Sequence, residues 1–323
     1  MQTGNLLEIK NLSSSFVINN NSYLFLDDIS FDVKKGEIVG IVGESGCGKT
    51  TLSKCLTRIE SPAKIVSGAI IYDNIDLVKS DEKVLESIRG KHISIIPQNA
   101  MSSLDPLERI GKQLIEAYRL HNDISYREAK QLALSWLKRA NIADANRVFN
   151  QYPHQLSGGL KQRVLIAMAM ICNPEIVITD EPTTSLDVEN EKEILKLFVD
   201  LRNDFGTSFV IISHNLNAIK KICDSLYVMY CGQIAEQGNT KEVIGSPCHP
   251  YTKALLKSYE SLKNKDKELY YIEGIVPSIK NINEKCRFVD RCDECNEKCK
   301  KEENILQELS KSHYVRCGKY RNE

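Results

Sequence analysis

The stretch Glu37-Ile38-Val39-Gly40-Ile41-Val42, running into Gly43-Glu44-Ser45-Gly46-Cys47-Gly48-Lys49-Thr50, decides the fold. An apolar strand is followed by G-x-x-x-x-G-K-[ST], and a helical segment starts near Lys49. At a strand-to-helix junction this spacing is a phosphate cradle. Its glycines (Gly43, Gly46, Gly48) turn successive backbone N–H groups, including those of Ser45 and its neighbours, into one concave nest. The adjoining helix adds the positive end of its dipole. Lys49 can then reach the β- and γ-phosphates, and the Thr50 hydroxyl can bind Mg²⁺. The chain is expected to bind a nucleoside triphosphate with magnesium.

Composition bounds the remaining possibilities. At 323 residues the chain exceeds the size at which one core keeps growing, so a main domain with an appendage is expected. Lys plus Arg and Asp plus Glu both number 43, so no net field draws the chain to nucleic acid or an anionic membrane. Met1 to Lys10 carries no basic or long apolar run, so no signal peptide is expected. The longest apolar stretch, Leu165 to Cys172, is far shorter than a spanning helix. Any membrane role is therefore expected to come through a partner. Eleven cysteines without a secretion signal suggest reduced thiols or metal ligands.

Along the chain, Leu6 to Leu12, Leu24 to Val33 and Gly68 to Tyr72 read as strands, as does His92 to Ile96, ended by Pro97. From Pro106 to Ala140 the apolar period becomes helical, predicting an insertion of two or three helices. After Ser157 helices and strands alternate: helix Leu160 to Ile171, strand Glu175 to Thr179, helix Glu191 to Arg202, and strands Ser208 to Ile212 and Leu226 to Tyr230. That alternation predicts a largely parallel sheet. The charged run Lys263 to Glu268 reads as a solvated linker, and the chain beyond Glu268 is polar and cysteine-rich.

Two further stretches carry chemistry. Ile176-Val177-Ile178-Thr179 ends in Asp180-Glu181, a buried strand delivering two carboxylates. In a phosphate-loop protein such an Asp helps hold Mg²⁺ and the adjacent Glu can orient the attacking water. Leu156-Ser157-Gly158-Gly159 precedes a second helix, and Ser157 is also a good N-cap there. With these elements in this order, the chain resembles the ATP-binding-cassette (ABC) ATPases from about Leu6 to Leu256.

The resemblance implies an α/β fold. A P-loop NTPase (RecA-like) core would carry a β-rich N-terminal subdomain, a helical subdomain at about 101–160 and a small cysteine-rich C-terminal extension. The ATPase domain would span 1–260 and the extension 261–323. Gly43 to Thr51 would be the phosphate loop, and Gln98 a glutamine that contacts Mg²⁺ or water and senses a membrane partner. Ser157, Gly158 and Gly159 would close over the γ-phosphate of an opposing subunit. Asp180 would bind Mg²⁺, Glu181 would be the catalytic base, Asp187 would lie in the loop beyond, and His214 would contact the γ-phosphate. Adenine would stack on Phe16, with Tyr23 and Phe25 as alternatives.

Pro97-Gln98-Asn99-Ala100-Met101-Ser102-Ser103-Leu104-Asp105-Pro106, His249-Pro250-Tyr251-Thr252-Lys253-Ala254-Leu255-Leu256 and Gly274-Ile275-Val276-Pro277-Ser278 resemble segments of oligopeptide, dipeptide and nickel importer ATPases. So do Cys286-Arg287-Phe288 and Arg291-Cys292, and the match resembles the first of their two paralogous ATPases. The implied role is an ATPase peripheral to the cytoplasmic face of the cell membrane, energising uptake of peptides or a nickel chelate. It would work with two transmembrane permeases and a paralogous ATPase or a second copy, and indirectly with an extracytoplasmic solute-binding protein. The rival is a soluble ABC ATPase acting as a mechanical switch, or an iron–sulfur regulatory protein.

Five of the eleven cysteines, Cys286, Cys292, Cys295, Cys299 and Cys317, fall in the tail. In the family the spacing C-x₅-C-x₆-C…C carries a [4Fe–4S] cluster, here on Cys286, Cys292, Cys299 and Cys317. Thiolates suit zinc equally, and Cys295 adds zinc-like spacings. Cys47 is expected to be non-catalytic, Cys55, Cys172, Cys223 and Cys231 to be small core hydrophobes, and Cys248 to be exposed.

Overall fold

The structure is a computed structural model that describes residues 4–59, 62–98, 103–184, 186–263, 270–282 and 285–320. It forms two compact units. The first comprises Met1–Val33, Ile38–Val78 and Ser213–Glu323, and the second Lys34–Glu37 and Lys79–Ile212.

The first unit opens with β1 (Asn5–Ile18), β2 (Asn21–Lys34), β3 (Ile38–Val42), α1 (Lys49–Thr57), β4 (Ala63–Tyr72) and β5 (Ile75–Asp76). Asn19 and Asn20, with φ of +49° and +63°, make the tight turn from β1 to β2. Asn takes this left-handed pair readily, and the turn's twist suits a hairpin. One sheet has the order β2-β1-β4-β5. β1 runs antiparallel to β4, with Leu7 opposite Tyr72 and Phe16 opposite Ala63. The observed β1 reaches past the predicted end at Leu12 to Ile18, with Ser13, Ser14 and Ser15 buried within it.

The second unit holds α2 (Glu82–Ile88), β6 (Ile93–Ile96), α3 (Ile110–Arg119), α4 (Tyr126–Arg139), α5 (Ala145–Asn150), α6 (Gly158–Met170), β7 (Ile176–Asp180), α7 (Val188–Phe205) and β8 (Ser208–Ser213). β6, β7 and β8 are parallel, with Ile93 beside Ile176 and Asp180 beside Ile212. Every residue of β7 and β8 is buried, which explains their unbroken apolar runs. The helices α3 to α6 close on Leu114, Ala133, Trp136 and Val164, all 1% exposed or less.

The chain then completes the first unit with α8 (Leu216–Ile219), β9 (Ser225–Tyr230), β10 (Gln233–Asn239), α9 (Thr240–Gly245), α10 (Pro250–Lys263), α11 (Glu297–Lys301), β11 (Gln307–Ser310) and β12 (His313–Val315). Its second set of strands runs β11-β12-β10-β9-β3. β3 and β9 are parallel and the rest antiparallel. The cysteine-rich tail is tied in at Glu236 of β10, which is fully buried. Its carboxylate accepts the N–H groups of Cys248 and His249 and lies 2.8 Å from His313 Nε2. Phe288 of the tail packs against Tyr230 and Tyr251 at ring-centroid distances of 5.1 and 5.4 Å. Of the charged run read as a linker, Lys263 closes α10 and 264–268 lie outside the described residues.

Candidate active site

In the first unit the phosphate loop links buried β3 to α1. Gly43 has no room for a side chain, since a Cβ there would sit 2.2 Å from the Met229 carbonyl oxygen. Gly48 stands at φ +108° as the N-cap of α1, with no side chain to accept from the first helical turn. The leading N–H groups of α1 therefore remain for an anion. Lys49 is 5% exposed, and its Nζ donates to the Gly43 and Glu44 carbonyls at 2.9 Å each. Thr50 is exposed and Thr51 half-buried on the first turn of α1, while Ser45 and Gly46 are exposed at the loop's rim. Cys47 is fully buried. Burial pushes its thiol pKa up, which suits a packing residue and not a nucleophile.

Phe16 and Phe25 form an edge-to-face pair with centroids 5.5 Å apart. Phe25 Cε1 lies 3.2 Å from where a Cβ on Gly48 would stand, so Phe25 is the ring next to the loop. His214, exposed, follows the end of β8, and the Asn215 N–H after it donates to Ser213 Oγ at 2.9 Å.

The second unit gathers another group. Asp180 is 2% exposed at the end of β7. The next residue, Glu181, has φ +51°, a left-handed conformation that costs a non-glycine residue about 1–3 kcal/mol. The Glu181 N–H donates to the Ile212 carbonyl at 2.8 Å. Its Oε2 accepts from Gln98 Nε2 at 3.2 Å and from Thr184 Oγ1 at 2.8 Å. Ser157 caps α6 only loosely, with Oγ 3.4 Å from the Leu160 N–H, and Ser157 and Gly158 are exposed. A Cβ on Gly159 would meet Asn190 Oδ1 at 3.3 Å. Asn190 Nδ2 in turn donates to Asp187 Oδ2 at 2.6 Å, and Asp187 caps α7. Sequence reading placed Gln98 and Glu181 in one machinery without their mutual bond, and it missed Thr184. Residues 99–102, which come after Gln98, lie outside the described residues.

The tail thiols converge. Cys286, Cys292, Cys295, Cys299 and Cys317 line one small cavity with His249. Burial pushes Cys286 up to about 11 and Cys292 up to about 12, with neighbouring thiols adding to the shift. A bound cation reverses such shifts and holds the sulfurs as thiolates, so this donor set fits a thiophilic metal centre. Cys55, Cys223 and Cys231 are buried as expected, and Cys172 and Cys248 are half-buried.

Comparison with known proteins gives the family. Residues 26–184 match the ABC transporter family, and residues 235–299 match the oligopeptide/dipeptide transporter C-terminal region. A probable peptide ABC transporter ATP-binding protein of Sinorhizobium fredii is 38% identical over 97% of this chain and 94% of its own length. The oligopeptide transport ATP-binding protein AppD of Bacillus subtilis is 37% identical, with 98% of each chain covered. The chain belongs to the ABC transporter ATP-binding family.

Among solved structures, the dimeric ATP-binding cassette MJ0796, in a post-hydrolysis state with ADP and Pi, is 28% identical with a TM-score of 0.66. The match covers 72% of this ABC chain and 98% of that one. CbiO1 of Clostridium perfringens, part of the cbiONQ transporter complex, is 28% identical with a TM-score of 0.64, over 75% and 91%. Among the described residues of this ABC ATPase, no helix is long and apolar enough to cross a membrane.

Proposed function

We propose that this chain is the ATP-hydrolysing subunit of an importer for oligopeptides or dipeptides, seated on the cytoplasmic face of a membrane permease. The observation that carries this reading is near-full-length likeness to peptide-transport ATP-binding proteins, in a chain whose sequence has the phosphate-loop spacing and the strand-end Asp180-Glu181 pair. In this reading Lys49 and the N–H groups of 43–51 hold the β- and γ-phosphates, and adenine stacks on Phe16, with Tyr23 and Phe25 as the alternatives. Thr50, Gln98 and Asp180 would hold Mg²⁺, which offsets the phosphate charge. Glu181 orients the attacking water, held for that task by Gln98 and Thr184, and His214 contacts the γ-phosphate. Ser157, Gly158 and Gly159, with Asp187, serve the nucleotide of the opposing subunit, either a paralogous ATPase or a second copy.

Phosphoryl transfer of this kind is mostly positioning and charge stabilisation, so a site completed by closure of two subunits is a switch. Closure would drive two permease subunits between their outward- and inward-facing states. An extracytoplasmic binding protein would deliver the solute, which this chain need not touch. Cys286, Cys292, Cys299 and Cys317 would hold a [4Fe–4S] cluster, whose iron and sulfide content is measurable in anaerobically purified protein.

The test is a tagged Glu181→Gln chain, used to trap ATP-bound complexes in gently solubilised membranes for mass spectrometry. Two polytopic permeases and a second ABC ATPase are expected. Recovery of soluble partners alone would overturn the importer reading and leave a mechanical switch in a non-transport complex.

A further inference from the structure

Three of the four candidate thiol ligands stand next to a buried arginine: Cys286 beside Arg287, Cys292 beside Arg291, and Cys317 beside Arg316. Their side chains are 7%, 4% and 6% exposed. Each bonds residues of the same unit that lie outside the cysteine-bearing tail. Arg287 donates to the carbonyls of Phe25 (2.7 Å) and Cys231, and to Asp27 Oδ2 (2.8 Å). Arg316 donates to the Ile234 carbonyl (3.1 Å) and to Asp28 Oδ2 (3.0 Å).

Arg291 goes to the phosphate loop itself. Its guanidinium grips the Glu44 carboxylate with two parallel bonds, Nη1 to Oε2 at 2.7 Å and Nη2 to Oε1 at 3.0 Å. The remaining donors reach Tyr230 Oη (3.3 Å), the Ile272 carbonyl (3.2 Å) and the Glu273 carbonyl (2.8 Å). All five N–H groups are thereby used, a geometry that fixes the fork in one orientation. Glu44 is the second residue of the loop and is held at two more points. Its N–H donates to Tyr251 Oη at 2.9 Å, and its carbonyl accepts from Lys49 Nζ at 2.9 Å. Tyr251 packs on Tyr230, centroids 4.7 Å apart, and Arg291 lies over the Tyr230 ring at 5.8 Å. The arginine, the two tyrosines and the loop's Glu44 form one connected network.

The segment bearing Arg287 and Arg291 is a short turn between two candidate ligands. The Val289 N–H donates to the Cys286 carbonyl, and the Arg291 N–H donates to the Phe288 carbonyl. Pinning Cys286 and Cys292 fixes this turn from both ends. We propose that Arg291 is a positioning residue that links the cysteine cavity to the phosphate loop, so that occupation of the cavity by a thiophilic metal centre tightens nucleotide binding. The inference rests on the metal reading of the cysteine cavity given above. Linkage is reciprocal: if the metal centre raises nucleotide affinity, nucleotide must raise retention of the metal by the same factor.

The test uses the full chain, purified anaerobically and assayed for iron, zinc and sulfide, then divided into loaded and chelator-stripped pools. The dissociation constant of MgADP is measured in both, and so is the rate of metal loss to chelator with and without saturating MgADP. The loaded pool is expected to bind about five- to tenfold tighter, the low end of the usual range for such coupling, and MgADP to slow metal loss. Arg291→Lys keeps the charge but loses the fork, and Glu44→Gln removes the matching carboxylate at minimal change of shape. In both, the ratio between loaded and stripped pools is expected to fall toward one. Equal affinity of the two wild-type pools, or a ratio that survives both substitutions, overturns the linkage. A chain that carries no metal overturns the cavity reading and the linkage together. Weaker MgADP binding by Arg291→Lys within the stripped pool would then still separate the loop-positioning contact from the metal.

Discussion

Glu181 occupies a left-handed backbone conformation, φ +51°, that glycine would take without strain. Replacing it by glycine is expected to raise the melting temperature by a few degrees while abolishing hydrolysis. Thermal unfolding and phosphate release, measured on one preparation, check both halves. Glu181→Gln keeps the shape and the bond from Thr184 but not the base. It is expected to retain ATP and lose at least about a hundredfold in turnover, within the range for removing a general base. Near-normal turnover would end the assignment. Another residue sets a pH dependence. His249 is fully buried, and burial is the largest cause lowering its pKa from the ordinary 6.5 to about 4. Its imidazole is neutral in the fold, with Nδ1 accepting from the Tyr251 N–H at 3.0 Å. Between pH 6.5 and 4 the unfolded chain therefore takes up the proton that the folded chain refuses. This contribution to stability is complete above pH 6.5 and falls as pH drops through that window, by up to about 3 kcal/mol. His249→Asn, which keeps an acceptor, is expected to flatten the change in urea midpoint between pH 7 and pH 5 relative to wild type.

Helix starts divide into those that hold the fold and those kept for chemistry. Ser125 caps α4 with a complete capping box: its Oγ accepts the Glu128 N–H while Glu128 Oε2 accepts the Ser125 N–H. Ser157 caps α6 with a single bond of 3.4 Å, and Gly48 gives α1 no side-chain cap. Ser125→Ala is expected to cost about 1 kcal/mol of stability and leave ATP turnover untouched. Ser157→Ala is expected to cost less stability and to collapse turnover, given the role proposed above for its hydroxyl at the opposing subunit's nucleotide. Denaturant midpoints beside turnover numbers for the two variants separate the roles, and equal losses of turnover would contradict the division. Element type was legible where burial was complete or the helical period was long, as in β3, β7, β8 and α4. Short or polar elements were not: α2 owes its place to a cap at Asp81, β12 to pairing with β10, and β11 to pairing with β12. No local pattern encodes such pairing.

At the scale of the whole molecule, charge and assembly give the expectations. With 43 basic and 43 acidic residues, the chain offers no field for polyanions, so DNA or RNA is expected to leave its ATP turnover unchanged at low salt. Because the Ser157 helix start is assigned to a second subunit's nucleotide, specific activity of the isolated chain is expected to rise with its concentration. A turnover number constant across dilution would argue against a shared site. The sequence by itself determined the nucleotide chemistry, because a phosphate cradle and a strand-end Asp-Glu pair are local devices whose spacing is their geometry. It also determined the order of the long or fully buried strands and helices, since period and length reflect which faces are buried. Tertiary structure alone decided that Gln98 and Thr184 hold Glu181, that Phe25 and not Phe16 is the ring beside Gly48, and that five scattered cysteines share one cavity. It alone brought Arg291 to Glu44, 247 residues away in the chain. Contacts at that separation leave no periodicity to read, because they depend on how folded surfaces meet and not on the order of neighbouring residues.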